Sequence, residues 1–171
     1  MPPILRAIRF TPEMQPEVQS FDCGTSDEAL DMADWIKGPR CVASMATRKT
    51  EVWLFRTEIG DLVGFGSIGK TNWPWPEPNS PLAEASIIPA IAVESRFKRQ
   101  PPGLARNEQY SGRMILFLIA RARTQGTPRL VLYVRPDNTS AISLYDFVGF
   151  KPLPDIQRGN MKMFLDLTQD A

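Results

Sequence analysis

The ten residues from Asn72 to Pro81 carry four prolines, at positions 74, 76, 78 and 81, in a chain that holds sixteen altogether. Proline has no N–H for a helix or a strand ladder, so this run is expected to be a long structured loop and neither helix nor central strand. Other prolines punctuate the chain in the same way. Pro12 and Pro16 follow a short opening strand over residues 4–10, and Pro39 stands where a second short helix begins. Pro89 interrupts a buried strand over residues 85–93, which predicts a bulge. The segments between are short and change period. Thr25-x-x-Glu28 reads as a capping box opening a helix over 25–36. Residues 51–58 and 62–68, joined across Gly60, read as an antiparallel hairpin.

In the second half, residues 114–120 are apolar almost all round, which predicts a buried helix from Gly112 to about Thr124, ahead of a strand over 130–134. Asp137 and Asn138 offer an N-cap for the next helix, stopped at Gly149, and strands over 150–153 and 161–167 close the chain. The order is mixed α/β (α+β), and 171 residues suffice for one domain, residues 1–171. Apolar residues at 43% and charged residues at 23% make the chain globular. With no run of ~18 apolar residues and no leader-like N-terminus, it is expected to be soluble, cytoplasmic and away from membranes. Cys23 and Cys41 are too few for a disulfide framework. There is no histidine, which removes imidazole from every catalytic proposal and from metal sites that need it; no metal site is expected.

The run Asn138-x-x-Ala141-Ile142-x-Leu144-Tyr145-x-x-x-Gly149-Phe150 resembles a motif of the GNAT superfamily of acyl-CoA-dependent N-acyltransferases. The strand ending Ile91-Ala92-Val93, ahead of a basic loop and a buried helix, is similar to that family's cofactor-binding unit, and Phe21-Asp22-Cys23-Gly24 looks like the opening of some members. The resemblance implies a mostly antiparallel central sheet flanked by helices, with splayed central strands, and acetyl-CoA (coenzyme A) as co-substrate. It implies that the backbones of Ile91 and Val93 pair with the pantetheine arm, that Asn138 lies near the cofactor, and that Tyr145 is the general acid. A phenol of pKa about 10 can give a proton to a departing thiolate whose conjugate acid has a pKa of about 8.5. As a core aromatic, Tyr145 would fit beside Ile142 and Val148 equally well, and Asn138 is also a plain N-cap.

The pyrophosphate loop departs from the family pattern. Gln100-Pro101-Pro102-Gly103-Leu104-Ala105 satisfies that pattern in letters, yet its two prolines have no N–H to offer a phosphate. Starting the helix at Gly103 would also make it roughly twice the ~11-residue mean. The cradle is therefore expected at Tyr110, Ser111, Gly112, Arg113 and Met114, after an insertion of about ten residues beyond the family spacing. Nine basic residues from Arg96 to Arg135 (Arg96, Lys98, Arg99, Arg106, Arg113, Arg121, Arg123, Arg129 and Arg135) against Glu108 give this segment +8. With a whole-chain charge of +1, the rest carries −7. A polyphosphate ligand suits that distribution, with Lys98, Arg99 and Arg113 as contacts and Arg121, Arg123 and Arg129 as a solvated face.

No general base stands out; Glu84 is the nearest candidate, and Glu94 is read as a strand-end charge. Residues 13–34 contain seven acids and no Lys or Arg, which favours a cationic amine acceptor or is simply an exposed acidic face. Trp73 and Trp75 either wall the acceptor site or anchor their loop. The leading reading is direct acetyl transfer to a primary amine, a small molecule or peptide, in a ternary complex. The alternatives are a GNAT-type toxin acetylating aminoacyl-tRNA and a non-catalytic acyl-CoA-binding module. The near-neutral total disfavours nucleic acid, and a homodimer is left open.

Overall fold

Glu51–Thr57 (β2) and Leu62–Pro74 (β3), the latter buried without a break from Val63 to Gly69, form an antiparallel hairpin whose turn uses Gly60 at φ 97°. They belong to a computed structural model that describes residues 4–77, 79–99, 102–157 and 159–168, the side chains of 154–157 excepted. The further elements are β1 (Leu5–Arg9), α1 (Asp27–Lys37), α2 (Pro39–Arg48), β4 (Leu82–Ile88), β5 (Ile91–Val93), α3 (Tyr110–Thr124), β6 (Arg129–Val134), α4 (Thr139–Phe147), β7 (Lys151–Gln157) and β8 (Asn160–Asp166). A 3-10 helix, Pro12–Val18, follows β1. The sheet runs β1-β2-β3-β4-β6-β8-β7, with β5 on β3; β4 and β6 are parallel and the other pairs antiparallel.

Two cores hold helices to opposite faces. Ile115, Leu118, Ile119 and Ala122 of α3 pack with Ile68, Ile88, Leu130 and Leu132. On the other face α1 and α2 bring Ala33, Trp35, Ile36 and Cys41 against Val52, Leu54 and Phe65. Among the described residues no helix is long and apolar enough to cross a membrane. Both cysteines are free and buried.

The predicted element order is observed except that residues 85–93 contribute to two strands, and boundaries shift in β3, α1, α3, in β4, which begins at Leu82, and in β7, which runs to Gln157. Strand β3 continues through Asn72 and Trp73 to Pro74, paired with Ala83 and Leu82 on β4, so the loop is shorter than the prolines suggested. Trp75 N–H donates to the Pro81 carbonyl at 3.3 Å, which makes Pro74–Leu82 a pair without ladder bonds in an alternating ladder. No bond there asks for the N–H that Pro74 lacks. Pro78 lies outside the described residues.

The cap of α1 is Ser26, whose hydroxyl accepts from Ala29 N–H at 3.1 Å, in place of the expected Thr25. Helix α3 begins at Tyr110, two residues before Gly112. At Pro89, where a bulge is expected, the strand instead divides into β4 and β5. Ser67 bridges it: its hydroxyl donates to the Ala90 carbonyl at 2.8 Å and accepts from Ala90 N–H at 3.0 Å.

Candidate functional site

The break at Pro89 parts the sheet. Strand β4 stays with β6 through Ile88–Leu132, whereas β5 pairs with β3, so the β4–β6 ladder stops short of Tyr133 and Val134. Ser67 N–H donates to the Ala90 carbonyl at 3.0 Å and Glu94 N–H to the Val63 carbonyl at 2.7 Å. Alternation makes Phe65–Ala92 the bonded pair between these two. The N–H and C=O groups of Ile91 and Val93 therefore turn away from β3, into the opening.

A cavity of about 650 Å³ occupies that opening, bounded by β5, β6, the first turn of α3, the start of α1 and the first turns of α4. Ile91, Val93, Lys98, Ser111, Asn138 and Tyr145 all line it. Tyr110, Gly112, Arg113 and Met114 share the α3 turn without lining the cavity. Tyr110 packs edge-on against Phe97 at 5.5 Å, and Met114 is buried with Phe55 and Val63. A Cβ on Gly112 would sit 2.0 Å from the Arg106 carbonyl, so the glycine admits the preceding loop onto the helix. Arg113 buries Nη1 with no hydrogen-bond partner among the described residues. Gly103, centre of the alternative register, is an exposed turn at φ 88°; Gln100 and Pro101 lie outside the described residues.

The +8 segment is dispersed. Arg121 makes a two-pronged bond to Glu51, at 3.0 and 2.9 Å, and covers Trp53; Arg129 stacks on Trp75 at 4.2 Å. These two arginines pin α3 and β6 and are not the solvated face that the sequence suggested. Arg99 is exposed and outside the cavity lining. Lys98 donates to the Cys23 carbonyl, and Arg106 donates to the Ser143 hydroxyl and, at 3.3 Å, to the Ser140 carbonyl. Both line the cavity and neither forms an ion pair among the described residues, so each holds its charge against neutral acceptors. Trp73 and Trp75 lie outside the lining: Trp73 packs on Tyr133 under Lys162, and Trp75 on Phe164.

Tyr145 is 7% exposed, rests on Phe150 and lines the cavity, so core packing and the site coincide. Burial, and next the charge of Glu28, push its phenol well above the ordinary value. Asn138 does cap α4, accepting from Ala141 N–H at 3.2 Å, while its amide donates to Glu28 Oε2 at 3.1 Å. Glu84 is not brought to the cavity. It is exposed on the β3–β4 ladder, 3.8 Å from Lys70, because its strand position places it four residues short of the opening at Ile88. Glu94 caps the turn after β5 and pairs with Arg96 at 2.9 Å.

Glu28, one of the seven acids of residues 13–34, is a cavity residue that sequence reasoning did not single out. Read as part of a capping box, it was assigned to the helix end; with Ser26 as the cap, its carboxylate lines the cavity instead. Among the described residues no group of three His, Cys, Asp or Glu could hold a metal ion.

No protein-family model matches the sequence, and a search of curated proteins finds no relative. Solved structures do resemble it. A bacterial toxin superposes with a TM-score of 0.73 at 15% identity, covering 97% of this chain and 92% of that one. A tyrosine-to-phenylalanine mutant of the toxin AtaT, bound to the C-terminus of the antitoxin AtaR and acetyl-CoA, gives 0.71 at 12%, covering 96% and 94%. An acetyltransferase of the GNAT family from Staphylococcus aureus Mu50 gives 0.61 at 12%, covering 96% and 99%. At such identities the likeness is one of fold, and the fold is that of the GNAT superfamily.

Proposed function

We propose that the chain is an acetyl-CoA-dependent N-acetyltransferase, transferring the acetyl group directly to a primary amine in a ternary complex. One observation carries this reading: unpaired main-chain groups of Ile91 and Val93 and the Tyr145 side chain meet in one cavity. The residues present fit acetyl-CoA. An added strand-like ligand finds two amide partners on β5, as peptides do at a sheet edge. In the first turn of α3 the N–H groups of Ser111 and Gly112 precede the first intrahelical bond, from Arg113 N–H to the Gln109 carbonyl at 2.9 Å, at a helix N-terminus where a pyrophosphate is favoured. Lys98 and Arg106 supply cations on the same wall.

Asn138 holds the start of α4, and with it Tyr145, against the opening. Attack of the amine forms the C–N bond and breaks the C–S bond, and Tyr145 gives its proton to the sulfur as negative charge develops there. Tyr145→Phe is expected to lower turnover roughly 100-fold while acetyl-CoA affinity, read by calorimetry, stays within about twofold. Wild-type protein that fails to bind acetyl-CoA, or binds it without transfer across a panel of alkylamines, polyamines and peptide α-amines, overturns the reading.

A second reading, in which the transfer makes the protein a toxin, is supported by the likeness to a bacterial toxin and to AtaT at higher TM-scores than to the Staphylococcus aureus enzyme. Growth arrest on expression in a bacterial host, absent with Tyr145→Phe, would favour it.

A further inference from the structure

We infer that Glu28 receives the acceptor: its carboxylate binds the ammonium form of the incoming amine and takes the proton that the nitrogen must lose before attack. This rests on the transferase reading and names its substrate class, a cationic primary amine. Three observations converge on this side chain. Ser26 caps α1, which leaves the Glu28 carboxylate out of the helix end and on the cavity wall. Asn138 Nδ2 donates to Oε2 at 3.1 Å, so the carboxylate is held between α1 and the N-terminus of α4 with Oε1 still free of hydrogen bonds to described residues. Tyr145, more than nine-tenths buried on the same cavity, has a hydroxyl to which no described residue bonds.

The charges around this point are arranged for a cation. Among the described residues no Lys or Arg forms an ion pair with Glu28. Of the cavity's cations, Arg135 is engaged 3.4 Å from Asp137, Lys98 is tied to the Cys23 carbonyl and Arg106 to α4. Asp27 adds negative charge at the rim. A half-buried carboxylate whose one partner is a neutral amide gains most from a charged donor. It shares the cavity with the Tyr145 phenol, which burial and the Glu28 charge keep protonated, so the two groups can take different roles.

The protons balance. The first leaves the ammonium for Glu28, giving a neutral amine with a lone pair, and passes from Glu28 to solvent. The amine nitrogen bonds to the thioester carbon, and the C–S bonding pair leaves on sulfur, which takes the proton of Tyr145. The second nitrogen proton, lost as the amide forms, replaces the one that Tyr145 gave. The products are an amide, free coenzyme A thiol and one proton in solvent.

The test uses n-butylammonium chloride and its neutral isostere n-butanol, titrated by NMR into wild type and into Glu28→Gln, with coenzyme A bound. Wild type should prefer the ammonium by at least about tenfold, the scale of a charge-assisted hydrogen bond. Glu28→Gln keeps an acceptor for Asn138 Nδ2 and should lose that preference while binding acetyl-CoA within about twofold of wild type. Equal binding of the two probes by wild type, or a preference that survives in Glu28→Gln, overturns the inference whether or not the variant is fully stable. Either result leaves the transferase reading standing, which falls only if acetyl-CoA itself is not bound or not used.

Discussion

Tyr145 keeps its proton because α4 places the phenol among Leu144, Phe150 and the cavity wall, where water is scarce and Glu28 repels a second negative charge. The motif resemblance of the run from Asn138 to Phe150 pointed to this residue, and the structure puts it on the cavity wall. Glu28 was hidden by an ambiguity of one residue. Thr25 and Ser26 are both good caps, and the choice between them decides whether the carboxylate two or three residues on turns to the helix end or to the cavity. The choice can be checked directly. Ser26→Ala should cost about 1 kcal/mol in chemical denaturation, and Thr25→Ala less than about 0.5 kcal/mol, because only the Ser26 hydroxyl accepts a backbone N–H in α1.

Helix α3 shows what periodicity conveys and what it omits. An apolar run bounded by glycines announced the helix, and the lack of N–H on Pro101 and Pro102 pointed to a cradle further on. The path of the intervening residues was not legible, because it depends on a long-range latch: Arg106 reaches α4, and its backbone lies on Gly112. Only a residue without Cβ allows that approach. Gly112→Ala, which would put a methyl group 2.0 Å from a carbonyl oxygen, should destabilise the protein by about 1–3 kcal/mol and weaken acetyl-CoA binding by displacing the first turn. A melting temperature and an affinity both equal to wild type would show that the loop can retreat freely. Likewise the end of β3 escaped the reading of Pro74, since proline's tolerance depends on the ladder position, a property of pairing and not of the residue.

For the whole molecule, the buried cysteine and tyrosine set an alkaline limit. Burial pushes the Cys41 thiol up to about 12, against about 8.5 in an unfolded chain. Below pH about 8.5 both states hold the proton; above it the unfolded state releases the proton first, so stability falls as pH rises toward about 12. Tyr145, also raised, adds a decline that begins near pH 10. Cys41 alone should remove about 2 kcal/mol between pH 7 and pH 10, and Cys41→Ala should flatten that slope in urea denaturation. Acid acts at Glu51. Burial pushes its carboxyl up, but the bonds from Arg121 and Trp53 and the charges of Arg121 and Arg9 outweigh this and hold it low. Its stabilisation is therefore present above pH about 4.3 and is lost as pH falls further.

The parting of β5 from β6 has a consequence for how such a chain can change over generations. The groups that Ile91 and Val93 offer to the opening belong to every amino acid except proline, so their side chains answer to packing, Val93 in the cluster of Met114 and Phe97 and Ile91 there and against the core under α3. Substitutions such as Ile91→Val or Val93→Ile leave those groups in place, whereas Ile91→Pro deletes one of them. A binding surface made of main chain can thus pass intact through a lineage whose letters drift almost beyond comparison, provided the parting itself is inherited.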